Sequence, residues 1–155
     1  TLVLAESEPG LILDWELYQG VAPAEWRQAQ ESIQRQNQFD ISEAIKALGS
    51  DRGFHAREGS KQLREAGICD ATCPRDPDVL KERFRDPGFA RLQRRRASTE
   101  ARIGILRERQ GRRLRCRGFA HRCLAVAWSV IGHNLWMIAR MLADQRAARR
   151  ARDAA

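Results

Sequence analysis

The chain has 155 residues, enough for one domain with a buried core, and its 43% of hydrophobic residues excludes a wholly disordered protein. No basic stretch followed by a long apolar run opens the sequence. The longest apolar region, 124–142, is interrupted by polar residues, so it favours a buried helix over a membrane span. We therefore expect a cytoplasmic protein with no membrane partner.

The net charge of +8 is distributed unevenly. Residues 1–50 carry eight acids and three bases, whereas residues 91–117 carry eleven arginines and only two glutamates. A dense cationic belt beside acidic flanks is typical of proteins that bind a polyanion. The charge favours nucleic acid as the partner, with a solvated arginine-rich face as the alternative.

Four cysteines are present: Cys69, Cys73, Cys116 and Cys123. Without a secretion signal they are expected to be reduced thiols rather than a disulfide framework. Their spacings differ from the short ones of structural zinc sites, which favours incidental cysteines. A small zinc-binding interaction module stays open as an alternative.

The first elements are a hairpin and a helix. Apolar runs at 2–5 and 11–18 surround Glu8-Pro9-Gly10, a pattern that predicts two strands joined by a turn. In the second run Leu13, Trp15 and Leu17 share one face with Leu11, while Ile12, Asp14, Glu16 and Tyr18 share the other, so one side of the sheet is expected to be covered. Helical spacing of apolar residues then predicts a helix over 24–36.

The middle of the chain is expected to alternate strands and helices. Residues 41–50 fit either a helix or a short strand that ends at Asp51. A helix over 56–66 closes at Gly67, a residue typical of helix C-termini, and 68–73 is a candidate strand. Charge and proline in 75–87 predict a loop.

Two helices are predicted to finish the domain. The first begins at Ser98 or Thr99, which can cap it, and places Glu100 in its first turn. The second spans about 118–148, with an apolar face interpreted as core: Leu124, Ala127, Trp128, Ile131, Leu135, Ile138 and Leu142. Trp136 is also interpreted as core. The order of elements predicts an α/β domain over 1–145 and a basic, frayed tail over 146–155.

Asp51 and Glu100 are the carboxylates with the most chemical interest. Asp51 would project from the end of a strand, where α/β sheets bind ligands. Gly104 and Arg107 follow Glu100 on the same helical face, where the glycine leaves room and the arginine offers a cation to a phosphate. The structural alternatives are that Asp51 only forms a turn and that Glu100 only complements the helix dipole.

Four stretches resemble one family when taken in order. They are Pro9-Gly10-Leu11-Ile12-Leu13-Asp14-Trp15-Glu16-Leu17, Asp51-Arg52-Gly53-Phe54, Ser98-Thr99-Glu100-Ala101-Arg102-Ile103-Gly104-Ile105-Leu106 with Arg117-Gly118-Phe119, and the run 121–128 closing with His133-Asn134-Leu135. Over residues 1–142 the chain resembles the C-terminal part of the catalytic domain of DDE transposases of bacterial insertion sequences.

The resemblance implies an RNase H-like mixed sheet flanked by helices, incomplete on its N-terminal side, with a long apolar C-terminal helix. It implies metal-dependent cleavage and strand transfer of DNA by two Mg²⁺ or Mn²⁺ ions, with Asp51 and Glu100 as catalytic metal ligands. DNA, as transposon ends and target, and a homo-oligomer formed on DNA are the implied partners. The residues expected to contact DNA are Arg94, Arg95, Arg96, Arg102, Arg107, Arg112 and Arg113.

One departure from the family concerns its first catalytic aspartate. That residue is expected on a strand before Thr1, and Asp14, the only local substitute, falls on a later strand. The chain is therefore expected to be either a portion of a longer transposase or a decayed reading frame that kept the fold signal and lost catalysis. By itself it is expected to bind DNA weakly and not to transpose. The alternative is a non-catalytic nucleic-acid-binding protein that uses only its arginine belt.

Overall fold

The computed structural model describes residues 1–38, 45–109 and 116–153, apart from the side chains of Ala97, Arg107 and Arg109. Its elements, in chain order, are β1 (Leu2–Glu6), β2 (Ile12–Leu17), α1 (Glu25–Asn37), β3 (Ala47–Leu48), a 3-10 turn (Arg52–Phe54), α2 (Arg57–Glu65), β4 (Cys69–Asp70), α3 (Pro77–Arg83), α4 (Pro87–Arg109) and α5 (Phe119–Asp153).

The described residues do not form the predicted RNase H-like mixed sheet, and that fold class was wrong. Across the described ranges the strands form two separate sheets, an antiparallel pair β1–β2 and a parallel pair β3–β4. The second pair is only two residues long. Ala47 and Leu48 belong to the stretch 41–50, for which a helix and a short strand were both left open, and they pair with Cys69 and Asp70 of the expected strand 68–73. Residues 41–44 lie outside the described part of the chain. Most of the described chain is helical instead.

The hairpin forms as predicted, but a bulge changes which residues it buries. Leu4 faces Trp15 and Ala5 faces Asp14, yet Glu6 faces Ile12, so Leu13 is an extra residue on β2. An extra residue reverses the alternation of side chains beyond it. Ile12 therefore lies in the core and Leu13 is 47% exposed, the opposite of the expected assignment.

The central core joins the hairpin to the last two helices. Ile12, Leu106 of α4, and Val126 and Val130 of α5 are buried against one another. Partly buried residues of the hairpin pack around them: Leu2, Leu4, Trp15 and Leu17. Burying such side chains is the main source of stability for the pairing of hairpin and helices, at about 1.5–3 kcal/mol each.

Two adjacent polar residues of α5 fix that helix on the hairpin. His133 is fully buried, and its Nε2 lies 3.0 Å from the carbonyl oxygen of Gly10. The carboxamide of Asn134 accepts from the backbone N–H of Ile12 at 2.9 Å and donates to the carbonyl of Ile12 at 2.8 Å. The His-Asn pair thus sets the position of α5 along β2.

Helix α1 covers the polar face of the hairpin as well. The sequence had predicted that only one face of the sheet would be covered. Arg35 of α1 forms two hydrogen bonds with the carboxylate of Asp14, at 3.0 and 2.8 Å. Tyr18 donates to Glu31 of the same helix at 3.1 Å. Charge pairing, rather than apolar burial, therefore holds α1 on this side.

Two helix starts differ from the prediction. Residues 75–87 were expected to form a loop, but Asp76 caps α3 by accepting from the backbone N–H groups of Asp78 and Val79. Asp86 likewise accepts from Gly88 and Phe89 at the start of α4. In both places an aspartate precedes a proline, a common arrangement at helix starts. Ser98 and Thr99 consequently lie inside α4 rather than at its beginning.

The apolar face of α5 that was interpreted as core is largely solvent-exposed. Trp128 is 71% exposed, Leu135 63%, and Trp136 45%, whereas the buried stripe is Val126, Val130, His133 and Met137. The predicted frayed tail is helical as far as Asp153. In the part of the chain that the structure describes, no helix is both long and apolar enough to cross a membrane.

Candidate functional site

An open cleft of about 560 Å³ lies where the carboxyl ends of β3 and β4 meet α3 and α4. This is the end of a parallel sheet at which ligands usually bind. Nine residues line it: Asp51, Arg52, Gly53, Cys73, Leu80, Phe84, Gln93, Arg94 and Arg96. Three arginines and a single carboxylate make its walls cationic, which suits an anionic ligand.

Asp51 occupies the mouth of this cleft because of a local turn. Its backbone is extended, and its Oδ1 accepts a hydrogen bond from the backbone N–H of Gly53 at 2.9 Å, which caps the 3-10 turn. A Cβ atom on Gly53 would fall 1.5 Å from Oε2 of Glu25 in α1. Glycine therefore lets the turn approach α1 closely while Asp51 stays exposed to solvent.

A set of buried hydrogen bonds made by Gln93 and Ser50, termed the clamp, holds the backbone next to Asp51. Nε2 of Gln93 in α4 donates to the carbonyl oxygens of Ser50, at 3.1 Å, and of Ala71. The hydroxyl of Ser50 donates to that of Thr72 at 2.9 Å. The side chain of Gln93 thus joins α4 to the ends of β3 and β4. It holds Ser50, the residue directly before the candidate catalytic Asp51.

The wall of the cleft formed by α3 is held by a second polar contact. The guanidinium of Arg83 donates to the backbone oxygens of Asp70 and of Thr72, the latter at 3.3 Å. Burial opposes ionisation of Asp70, but hydrogen bonds from Ser60 and Thr72 and the charge of Arg83 outweigh it, so the pKa of Asp70 is lowered. Asp70 is thus an ionised anchor behind the cleft, not part of its lining.

Glu100 lies in the middle of α4 and is exposed. Its Oε1 is 2.5 Å from Nη1 of Arg96, one turn earlier in the helix. Arg96 lines the cleft together with Asp51, whereas Glu100 is not among the residues that line it. The first-turn dipole role considered for Glu100 does not apply, because α4 begins at Pro87.

The predicted DNA-binding arginines separate into three groups. Arg94 and Arg96 line the cleft. Arg95 and Arg102 instead bind the carboxylate of Glu6, at 3.3 and 3.2 Å, and hold α4 on β1. The side chain of Arg107 and the residues Arg112 and Arg113 lie outside the described part of the chain.

Sequence reasoning missed two residues of this site, Arg52 and Gln93. Arg52 lines the cleft beside Asp51, and its signals were its adjacency to that aspartate and its place in the motif Asp51-Arg52-Gly53-Phe54. The role of Gln93 had no signal, because it depends on two carbonyl groups, 50 and 71, that meet only in the folded chain.

One carboxylate, that of Asp51, lines the cleft, and the second predicted metal ligand, Glu100, forms an ion pair with Arg96. The described residues contain no group of three or more metal-binding side chains. Mg²⁺ commonly binds one or two protein carboxylates and completes its shell with water and substrate phosphate oxygens. A metal held by Asp51 would therefore need most of its ligands from water and from a phosphate-bearing ligand.

A second cavity, of about 200 Å³, lies between α1 and α2 and offers less chemistry. It is lined mainly by apolar groups such as Trp26, Ile33 and Leu63, and none of its lining residues is charged. The cleft at Asp51 is thus the better candidate for a functional site.

Comparison of the chain with family models, with curated proteins and with solved structures gave no match.

Proposed function

We propose that this chain acts in DNA transposition, as a portion of a DDE transposase that holds a phosphodiester of DNA in the cleft beside Asp51. One observation carries the proposal. The cleft gathers Asp51 with Arg52, Arg94 and Arg96, and Arg96 also binds Glu100. Cations that bind phosphate oxygens beside carboxylates that hold a metal are what phosphodiester chemistry requires.

The three arginines of the cleft position the DNA. Guanidinium groups donate paired hydrogen bonds to phosphate oxygens, so Arg52, Arg94 and Arg96 would hold the backbone of the DNA without reading its sequence. Asp51 and Glu100 would hold Mg²⁺ or Mn²⁺, which in a two-metal site activates the attacking oxygen and stabilises the leaving one.

Arg96 couples the two kinds of group. Its Nη1 lies 2.5 Å from Oε1 of Glu100. A phosphodiester, whose single negative charge is shared by two oxygens, competes with that carboxylate for the same guanidinium. When Arg96 turns to the DNA, Glu100 becomes available as a metal ligand, so metal binding at Glu100 is promoted by DNA.

The resemblance supplies the rest of the proposal. The stretch Asp51-Arg52-Gly53-Phe54 and the stretch around Glu100 resemble the two motifs that carry the family's second and third acidic residues. Transposon ends and target DNA are the proposed partners, a homo-oligomer the proposed active form, and the cytoplasm the proposed place of action.

A second candidate is a nucleic-acid-binding protein without catalysis. The ion pair between Arg96 and Glu100 favours this second candidate, because a carboxylate that is bound to a guanidinium is not available as a metal ligand. Both candidates require the arginines, and only the first requires the carboxylates.

The DNA contact can be tested by fluorescence anisotropy with a labelled duplex over a range of salt concentrations. Each phosphate contact contributes a slope of about −0.9 to the dependence of log K on log salt concentration. We expect the double variant Arg94→Ala/Arg96→Ala to weaken binding and to reduce the slope by about 2. Arg64→Ala, an exposed arginine on α2, is the control and should leave the slope unchanged. An unaltered slope in the double variant contradicts the cleft as the DNA site.

The metal ligands can be tested by electron paramagnetic resonance of Mn²⁺, with and without the duplex. We expect DNA to increase Mn²⁺ binding by the wild-type chain, and expect Asp51→Asn and Glu100→Gln to remove the increase while DNA affinity persists. Glu58→Gln, an exposed glutamate on α2, is the matched control. If Mn²⁺ binding is indifferent to both substitutions, the non-catalytic function is favoured.

A further inference from the structure

We propose that the exposed apolar stripe of α5 joins two copies of this chain through an antiparallel pair of α5 helices. It uses the apolar face of α5 and none of the residues of the cleft, and it names a surface for the homo-oligomer that the proposed function includes. The stripe, termed the α5 seam, has six members with these exposed fractions: Leu124 58%, Trp128 71%, Ile131 47%, Leu135 63%, Ile138 43% and Leu142 47%.

The spacing of the α5 seam is that of a coiled coil. Its members alternate at intervals of four and three residues over almost three heptads. Two helices wind around each other when apolar residues recur every 3.5 residues on average, because the seam then stays turned to its partner. A seam with this period fits another helix better than it fits a sheet or a loop.

The α5 seam is a second surface, not a piece of the core. The buried stripe, Val126, Val130, His133 and Met137, already packs within its own chain. Large apolar side chains aligned on another face have no role in that packing. Contiguous apolar surfaces of this extent usually mark an interaction site.

Small residues beside the seam would allow a second helix to come close. Ala125, Gly132 and Ala139 are seven residues apart and flank it on one side. A glycine weakens a helix interior, yet a Cβ atom on Gly132 would meet nothing within 4 Å in the described structure. The packing of one chain therefore gives no reason for this glycine, whereas the close approach of a second helix does.

The surface area agrees with a dimer. The six side chains expose on the order of 600 Å², so two copies would bury about 1,200 Å², at the lower bound of specific interfaces. The same patch on both partners gives a closed two-fold assembly, since the α5 seam is complementary to itself.

The charges of α5 decide the orientation. Residues immediately beside the seam are uncharged: Ala125, Ala127, Gly132, Asn134, Ala139 and Met141. The end of the helix is strongly basic, with Arg146, Arg149, Arg150 and Arg152. A parallel pair would bring these two basic ends side by side, whereas an antiparallel pair separates them by the length of the seam.

The oligomeric state tests the proposal directly. Sedimentation equilibrium of the wild-type chain at micromolar concentration should show a dimer, and Leu135→Glu should weaken its association at least a hundredfold. Val79→Glu, which charges an equally apolar exposed site on α3, is the control and should remain dimeric. Circular dichroism checks that both variants keep their helices. A monomeric wild type, or an equally dimeric Leu135→Glu, overturns the proposal.

Crosslinking tests the orientation, in chains whose four native cysteines are replaced by serine. In an antiparallel pair centred on residue 133, position 131 of one copy faces position 135 of the other. Mixing Ile131→Cys with Leu135→Cys chains should give mostly the mixed disulfide, whereas homodisulfides overturn the antiparallel arrangement. Sedimentation of the wild-type chain with anionic phospholipid vesicles, without self-association, would assign the α5 seam to a membrane surface instead and overturn the dimer.

Discussion

The carboxylate of Asp14 and the guanidinium of Arg35 form a two-point contact between β2 and α1. Burial opposes ionisation of Asp14. Hydrogen bonds from Arg35 and Ser32 and the positive charge of Arg35 act in the other direction and prevail, so the pKa of Asp14 lies below its ordinary value of 3.8. A carboxyl with a lower pKa in the folded chain stabilises the fold above the unfolded pKa, and the effect is lost as the pH falls through the folded value.

Arg35→Ala should therefore destabilise the chain in a pH-dependent manner. We expect the free energy of unfolding to fall by about 1–2 kcal/mol at pH 7, because a paired and partly buried charge loses its partner. The difference from wild type should narrow below pH 4, where Asp14 begins to be protonated in the unfolded chain. Urea titrations at pH 7 and pH 3 measure both quantities, and a difference that is equal at the two pH values contradicts this role.

Among the elements, α4 has two separate attachments. Its middle is joined to β1, where the side chain of Glu6 is only 3% exposed and binds both Arg95 and Arg102. Its first half is joined to β3 and β4 through Gln93. A single helix thus connects the antiparallel and the parallel sheet, and places Arg94 and Arg96 beside the cleft.

Glu6→Gln tests the first attachment. Removing one charge of a buried group leaves its cationic partners uncompensated, at a cost of about 3 kcal/mol in the free energy of unfolding. Glu8→Gln is the matched control, since Glu8 is 75% exposed in its pair with Arg91 and should contribute less than about 0.5 kcal/mol. Equal effects of the two substitutions in urea unfolding would exclude Glu6 as the link between β1 and α4.

The sequence predicted the elements with the strongest local signals. The hairpin, α1 and α2 with its closing Gly67 were confirmed, because turn residues and periodic apolar positions act over short distances. The starts of α3 and α4 were missed, since charge and proline were weighed above the capping role of Asp76 and Asp86. The buried side of α5 could not be predicted, because that helix carries two apolar stripes and only tertiary packing selects one of them.

For the candidate site, the sequence identified Asp51 and Glu100, and the catalytic role of both remains a prediction. The position of Asp51 followed from a strand that ends in a glycine turn. Arg95 and Arg102 could not be separated from Arg94 and Arg96 by sequence, since all four belong to one charged run. Their directions are set by the packing of α4, which turns one pair to Glu6 and the other to the cleft.

On the scale of the whole molecule, the cleft depends on how well α4 is aligned with both sheets. Gln93→Leu removes the bonds to the carbonyls of Ser50 and Ala71 while keeping most of the side-chain volume. We expect a loss of about 2 kcal/mol in the free energy of unfolding, because two buried acceptors lose their donor. We also expect about tenfold weaker DNA binding, since Arg94 and Arg96 are then less well placed.

Cys73 gives an independent measurement of the same change. Its thiol lines the cleft, so its rate of alkylation reports on access to that surface. The rate should rise in Gln93→Leu and fall when a DNA duplex is added to the wild type, whereas the exposed Cys69 serves as internal reference. If the alkylation rate of Cys73 is unchanged both in Gln93→Leu and on addition of DNA to the wild type, the hydrogen bonds of Gln93 do not shape the cleft.

The contact of Asn134 with Ile12 affects what the edge of β2 can bind when α5 detaches. A carboxamide has the shape and polarity of a peptide group, so this side chain occupies the place that another strand would take beside β2. Uncovered strand edges recruit further molecules and can grow into fibrils. Asn134 of α5 occupies the hydrogen-bonding groups of Ile12 on that edge, and a chain whose last helix detaches would leave them open to pairing with another strand.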